Sequence, residues 1–211
     1  VMKISAEVLL QEKIIHQPER LQQYAAIIQH QTQHLQDQVE RLLQLAASDR
    51  KDFPIQKVQV PAREIVDQAL AKMQPLIDDR KATIEIQVDE EETIDLYADK
   101  AHLELAVVNL LENALKFAAK PHIIISYGRE DNGVYISVKD NGIGIDKKFQ
   151  KNVFKKFYRV PTGDVHNVKG FGLGLNFVKK VIDAHHGNIK INSLPGIGTE
   201  FRLILPPTIN N

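Results

Sequence analysis

The sequence has no cysteine. That absence removes disulfides, thiolate nucleophiles and cysteine metal sites together, and it fits a reducing compartment. Net charge is missing as well: 27 Lys and Arg balance 27 Asp and Glu, so no basic field points to nucleic acid or to an anionic membrane surface. Any phosphate the chain binds must be held locally. No stretch approaches the ~18 to 20 apolar residues that cross a bilayer, so this piece is expected to be soluble.

What is present divides in two. Across 211 residues the chain has room for one sizeable core and an appendage. Residues 1–50 read as a helical hairpin. The chain opens on "VMKISAEVLL", helical in pattern and without a cap, which suggests a piece of something longer. Pro18 and Glu19 in "HQPER" suit the first turn of a second helix. Along it Leu21, Ile28, Leu35 and Leu42 recur at a heptad interval, with Gln31 and Gln38 in the seam. Ile27, Val39, Leu43 and Ala46 widen the stripe, which suits a four-helix bundle made by two hairpins. A surface helix on a globular core is the alternative.

Residues 51–211 read as an α+β domain. Strands are expected at Ile55–Val60, Thr83–Val88, Thr93–Ala98, His122–Arg129, Val134–Lys139, Asn188–Asn192 and Thr199–Leu205, and helices at Ala62–Arg80, Asp99–Ala118 and Gly172–His186. "DNG" between the fourth and fifth strands is a hairpin signal. Without a βαβαβ alternation, the expected architecture is a two-layer α/β sandwich with a mixed, largely antiparallel sheet. Asp146 to Lys169 carries little periodic structure, and a stretch that long suits a functional loop such as a lid.

Four segments carry possible chemistry. In "NLLENALKF", Asn109, Asn113 and Lys116 fall at i, i+4 and i+7 on one helix face. They are either a solvated face or a row of amide oxygens and an ammonium suited to a hydrated Mg²⁺ and its phosphates. In "KDNGIGID", Asp140 offers an acceptor while Gly142 and Gly144 let a planar ligand approach. A carboxylate there accepts from the adenine amine and repels the keto oxygen of guanine; a plain turn is the alternative. "KGFGLGLNFVKK" sets Gly170, Gly172 and Gly174 directly before a helix, an anion site made from backbone N–H groups and the helix start. It has neither P-loop nor dinucleotide spacing. "PGIGTEF", with Thr199, reads alone as an ordinary hairpin.

In order and spacing these segments, with "FKKFYR" (Phe154–Arg159) between the second and third, resemble the N, G1, F, G2 and G3 boxes of sensor histidine kinases, in the GHKL ATP-binding superfamily. The resemblance covers roughly residues 53–207, and the hairpin is similar to the later part of that family's dimerisation and phosphoacceptor domain. It implies a Mg·ATP-dependent protein-histidine kinase core. Asn113 would hold Mg²⁺, with Asn109 beside it and Lys116 on phosphate oxygens. Asp140, Gly142, Gly144 and Thr199 would form the adenine side. Gly170, Gly172, Leu173 and Gly174 would line the phosphates, and Lys156 and Arg159 would contact nucleotide according to lid position. A response-regulator receiver domain as partner, a homodimer through the hairpin, and a cytoplasmic domain of a parent anchored at a bacterial inner membrane are implied too.

Two positions qualify the resemblance. ATP-hydrolysing relatives by fold place a glutamate where Asn109 stands, and an amide cannot take a proton from water. Glu112 lies ~100° around the helix from Asn113. Transfer to a side chain is therefore favoured over hydrolysis, with a GHKL ATPase as an alternative. None of the eight histidines starts the family's acceptor motif of His, an acid, then Thr or Asn before Pro. The expectation is a kinase core cut just after its acceptor and unable to phosphorylate itself, and a nucleotide-gated scaffold without phosphotransfer is the other reading.

Overall fold

The computed structural model describes residues 2–10, 17–29, 31–32, 54–88, 93–130, 133–160 and 172–207. The chain forms two compact units, Val1–Phe53 and Pro54–Asn211. In the first, α1 spans Met2–Leu9 and α2 is helical over 18–29, starting at Pro18 as its fixed φ favours. Tyr24, Ile27 and Ile28 are half-buried while Leu21 is exposed. Leu35, Gln38, Val39, Leu42, Leu43 and Ala46 lie outside the described residues.

The second unit runs β1 (Val58–Pro61), α3 (Ala62–Arg80), β2 (Thr83–Val88), β3 (Asp95–Ala98), α4 (Lys100–Phe117), β4 (His122–Glu130), β5 (Gly133–Asp140), α5 (Lys147–Gln150), α6 (Gly174–Ala184), β6 (Asn188–Leu194) and β7 (Gly198–Leu205). The main sheet has the order β2-β4-β5-β7-β6. β2 and β4 are parallel, and every other pair is antiparallel. The sheet is mixed and largely antiparallel, with helices packed on it. β1 and β3 pair antiparallel in a small sheet of their own, so the successive strands β2 and β3 separate.

Side-chain periods explain the layers. α3 buries Ala62, Ile65, Val66, Ala69, Met73 and Ile77, a single stripe at helical spacing, and is an outer helix. α4 buries apolar side chains on a much wider arc, including Leu103, Val107, Leu110, Leu111, Ala114 and Leu115, because it lies between α3, α6 and the sheet. Ile123 and Ile125 of β4, Ile136 and Val138 of β5, and Phe201 and Leu203 of β7 are buried beneath it, each large aliphatic contributing on the order of 1.5–3 kcal/mol.

The expected bounds of α3 and β2 coincide with the observed ones. The first strand starts at Val58 instead of Ile55, β3 at Asp95 instead of Thr93, and α6 at Gly174 instead of Gly172. Gly172 has φ +70°, a left-handed conformation that a helix cannot include. Over its described residues the long stretch after β5 forms the helical turn α5, capped by Asp146, whose side chain accepts from the Lys148 N–H.

Candidate functional site

The helix α4, which carries Asn109, Asn113 and Lys116, packs against β5, which ends at Asp140, and against α6, which starts at Gly174. Asp99 caps α4 by accepting from the His102 N–H at 3.0 Å. Its second oxygen accepts from the Gln56 N–H at 2.8 Å. The buried His185, past the end of α6, accepts from the Asp99 N–H through Nε2 at 2.8 Å. Its Nδ1 lies 2.7 Å from the Val181 carbonyl. An acceptor at Nε2 and a carbonyl at Nδ1 leave one consistent state, the neutral ring protonated at Nδ1. Burial, first of all, lowers the His185 pKa from 6.5. The start of α4 is thereby tied to the end of α6.

Farther along α4 the two asparagines differ. Asn113 is half-buried. Asn109 is buried, its Nδ2 donates to the Leu105 carbonyl at 2.8 Å, and its Oδ1 lies 2.7 Å from where a Cβ on Gly174 would stand. Gly174 is thus the residue that lets α6 start directly over Asn109. Lys116, half-buried, places its ammonium 5.4 Å from the Phe117 ring centre.

At the sheet, Ile123, Asp140, Thr199 and Ser193 pair across β4, β5, β7 and β6, so their side chains share the helix-facing side. Asp140 Oδ1 accepts from the Gly142 N–H at 2.8 Å and the Thr199 N–H at 3.2 Å. Oδ2 has no partner among the described residues. Burial raises the Asp140 pKa above its usual 3.8 even though both backbone bonds pull it down.

The glycines around it have reasons in the chain itself. A Cβ on Gly142 would lie 2.8 Å from Asp140 Oδ1 and 2.9 Å from the Phe117 carbonyl oxygen, and one on Gly144, at φ +68°, 2.0 Å from the Leu194 carbonyl oxygen. The loop thus packs chain atoms where either glycine would carry a Cβ. It joins the end of α4, where the Ile143 N–H donates to Phe117 at 3.2 Å, to the β6–β7 turn, where the Gly196 N–H donates to Ile143 at 2.8 Å.

Leu173 is buried, Gly172 and Gly174 are half-buried, and Gly170 lies outside the described residues. The Phe157 N–H donates to the Gly172 carbonyl at 3.0 Å, closing the chain on itself just before α6. Lys156 is half-buried and Arg159 exposed in the turns after α5.

Three participants are absent from the motif reading. Asn141, inside "DNG", accepts from the His122 N–H at 2.9 Å and donates to the Lys120 carbonyl at 3.0 Å, fixing the end of β5. Asn176 on α6 donates to the Phe154 carbonyl at 2.8 Å. Ser193 contacts Ile145, Gly198 and Thr199 at 2.7, 2.9 and 2.8 Å. Its clue is a polar residue at the inward position of an alternating strand, after Ile189 and Ile191. A cleft of about 380 Å³ opens beside it, lined by Asp146, Gln150 and Leu194 among others, and does not include Asn113 or Asp140.

The donor set suits some ions and excludes others. Among the described residues no group of three or more His, Asp or Glu is placed to hold a metal, so a cage of the zinc or calcium kind is not formed there. Mg²⁺ keeps several waters and needs only one or two protein oxygens beside its phosphates, which a single amide on α4 can supply. The first turn of α6 adds N–H groups without intrahelical partners.

A mixed sheet under helices, an asparagine-bearing helix at its end, and glycine-rich loops on either side define an ATPase domain of the GHKL type. Residues 98–209 match the family described as histidine kinase-, DNA gyrase B- and HSP90-like ATPases, and the chain belongs to that family. Its relatives include sensor histidine kinases. Sensor protein RprX of Bacteroides fragilis is 33% identical over 208 residues, covering 97% of this chain and 40% of RprX. Among solved structures, full-length ShkA in complex with AMPPNP superposes with a TM-score of 0.75 at 23% identity, over 88% of this chain and 38% of that one. ThkA in complex with the response regulator TrrA gives 0.69 at 20% identity, over 98% and 59%. The chain thus spans less than two thirds of the curated relative and of both solved chains.

Proposed function

We propose that the unit Pro54–Asn211 binds Mg·ATP and supplies its γ-phosphoryl group to a histidine, for relay to an aspartate of a response-regulator receiver domain. The AMPPNP bound to ShkA and the regulator bound to ThkA support this reading. In it Asp140 Oδ2 accepts from the adenine amine, with Gly142, Gly144 and Thr199 holding that carboxylate and its loop in place. Asn113 ligates the Mg²⁺, Lys116 neutralises phosphate oxygens, and the residues through Gly172, Leu173 and Gly174 bring the α6 N–H groups to the phosphates. Lys156 and Arg159 stand on the approach to the same region. Bound Mg²⁺ neutralises the charge on the transferring group. The bond from γ-phosphorus to the β-phosphate bridging oxygen breaks, a bond to an imidazole nitrogen forms, and ADP leaves with the electron pair.

The observation that carries the reading is the state of Asn109. It stands where a hydrolase of this fold would carry a glutamate, and its amide is held by Leu105 and covered by Gly174. An amide cannot deprotonate water, so ATP held over this helix keeps its γ-phosphate until a nucleophile is brought to it. No histidine of this chain stands in an acceptor motif.

The test pairs this protein and Mg·ATP with a partner carrying an acceptor helix and an inactive ATP site. Acid-labile phosphate on the partner, abolished by Asn113→Ala, is expected. Nucleotide binding with no label on a docked partner sinks the kinase in favour of a scaffold, and free phosphate without partner favours an ATPase. The homodimer through the hairpin and the membrane anchoring of a parent protein belong to this proposal too. Among the described residues no helix is long and apolar enough to cross a membrane.

A further inference from the structure

Ser193 ends the cross-strand row of Ile123, Asp140 and Thr199, and its hydroxyl has three neighbours. These are the Gly198 carbonyl oxygen at 2.9 Å, the Ile145 N–H at 2.7 Å and the Thr199 hydroxyl at 2.8 Å. A serine hydroxyl has one proton and two lone pairs. The carbonyl can only accept, so it takes the Ser193 proton. The amide can only donate, so it occupies one lone pair. The contact with Thr199 must then run from Thr199 to Ser193.

Thr199 therefore has its only proton engaged, and its oxygen presents lone pairs to anything else that reaches it. The neighbouring Asp140 uses Oδ1 for two N–H groups, and Oδ2 is a second acceptor. The hydroxyl and carboxyl of this wall accept and do not donate. A ligand edge must bring the protons itself, as an exocyclic amine does directly or through water, whereas a keto oxygen would face lone pairs.

We propose that Ser193 is a positioning residue for base selection: by taking the Thr199 proton it fixes the Asp140–Thr199 wall as an acceptor surface that favours adenine over guanine nucleotides. Without Ser193 the Thr199 hydroxyl can turn and donate to a keto oxygen. The inference rests on the nucleotide site proposed above and adds to it a residue that does not itself meet the base.

The experiment measures Mg·ATP and Mg·GTP binding by calorimetry for the wild-type protein, Ser193→Ala, Thr199→Val and the double variant, with circular dichroism as the folding check. In Ser193→Ala the preference for ATP is expected to fall roughly threefold to tenfold, the worth of one hydrogen bond changed from opposed to favourable. The fall should exceed that in Thr199→Val, which has no hydroxyl to turn. Adding Ser193→Ala to Thr199→Val should leave the ratio where it was. Equal weakening of both nucleotides by Ser193→Ala, or the same change of ratio in the Thr199→Val background, overturns the proposal. Should Ser193→Ala not fold, Ser193→Cys keeps the shape of the side chain, slightly enlarged, with a weaker hydrogen-bonding group and must lower the ratio in the same direction; an unchanged ratio counts against the proposal. A wild-type protein that binds neither nucleotide removes the nucleotide site itself, whereas one that prefers ATP and keeps that preference in Ser193→Ala removes only the role of Ser193.

Discussion

Asp140→Asn separates the cost of a carboxylate to the fold from its use to a ligand. In the folded protein burial outweighs the bonds from Gly142 and Thr199, and the Asp140 pKa is raised. A raised acid holds its proton more tightly folded than unfolded, so stability falls as pH rises from about the unfolded value of 3.8 through the folded pKa, and stays lower above it. At neutral pH the charge works against the fold. Asparagine keeps one oxygen for the two N–H donors and removes the charge, so the expected outcome is a melting temperature unchanged or higher. A gain of about 1 kcal/mol would lift it roughly 2–4 °C for a chain of this size. Nucleotide binding should move the opposite way. A hydrogen bond to a charged acceptor contributes about 1.5–3 kcal/mol, so ATP affinity should fall on the order of 10- to 150-fold. Scanning fluorimetry without nucleotide and calorimetry with Mg·ATP read the two effects separately. A drop in melting temperature of more than about 4 °C would make the carboxylate a structural anchor, and unchanged ATP affinity would remove it from the binding surface.

Two other perturbations follow from the geometry. Gly144→Ala forces φ +68° on a residue with a side chain and puts its Cβ 2.0 Å from the Leu194 carbonyl oxygen. A loss of at least about 2 kcal/mol is expected, seen as a fall of roughly 4–8 °C in melting temperature, and an unaffected protein would contradict the loop geometry. His185 is neutral when buried, with its folded pKa below 6.5 and with Asp99, His102 and Lys57 as the charged or titratable groups acting on it. Its contribution is complete above pH 6.5 and is lost as pH falls through the folded pKa. Stability should therefore decline from pH 7 to pH 5, by at most about 1.4 kcal/mol per pH unit from this group. His185→Asn should flatten the slope whatever it does to absolute stability; an identical slope in denaturant titrations of both proteins refutes the assignment.

Much of this architecture is legible in the residues because short-range patterns determine it. The helix over Ala62–Arg80 shows its bounds in an apolar stripe that starts after Pro61 and ends at a left-handed Lys81, and "DNG" shows the β4–β5 hairpin. Pairing between distant strands is a different matter. Nothing in the alternation of β2 and β3 says that one pairs parallel with β4 and the other antiparallel with β1, because either strand fits either sheet until α4 is packed. The same limit hides part of the site. Asp140 and Thr199 stand out through their glycine neighbours, but Ser193 looks like one more polar residue of an edge strand until its register against Thr199 turns it inward. Asn109 shares a helix face with Asn113 by spacing alone, and only the arrival of Gly174 from α6 buries one and leaves the other half-exposed.

Under the proposed function, that difference bears on how a phosphoryl donor would avoid wasting its substrate. The Asp140 loop has its shape before any ligand arrives: Gly142 and Gly144 lie against chain atoms, the Phe117 carbonyl accepts from the Ile143 N–H, the Ser193 hydroxyl accepts from the Ile145 N–H, and the Thr199 N–H donates to Asp140 Oδ1. If this loop is the adenine side, as proposed, it would need little ordering on binding, and binding free energy would remain for orienting the triphosphate. At the phosphate end the logic is reversed. In the proposed site the position on α4 from which a base would reach an attacking water is Asn109, whose amide is already bonded to Leu105 and covered by Gly174, and Glu112 is rotated about 100° from Asn113 around the helix. Under the proposed function, holding at one end and an amide in place of a base at the other would give a site that keeps ATP intact, and transfer would require an imidazole whose own lone pair attacks the γ-phosphorus.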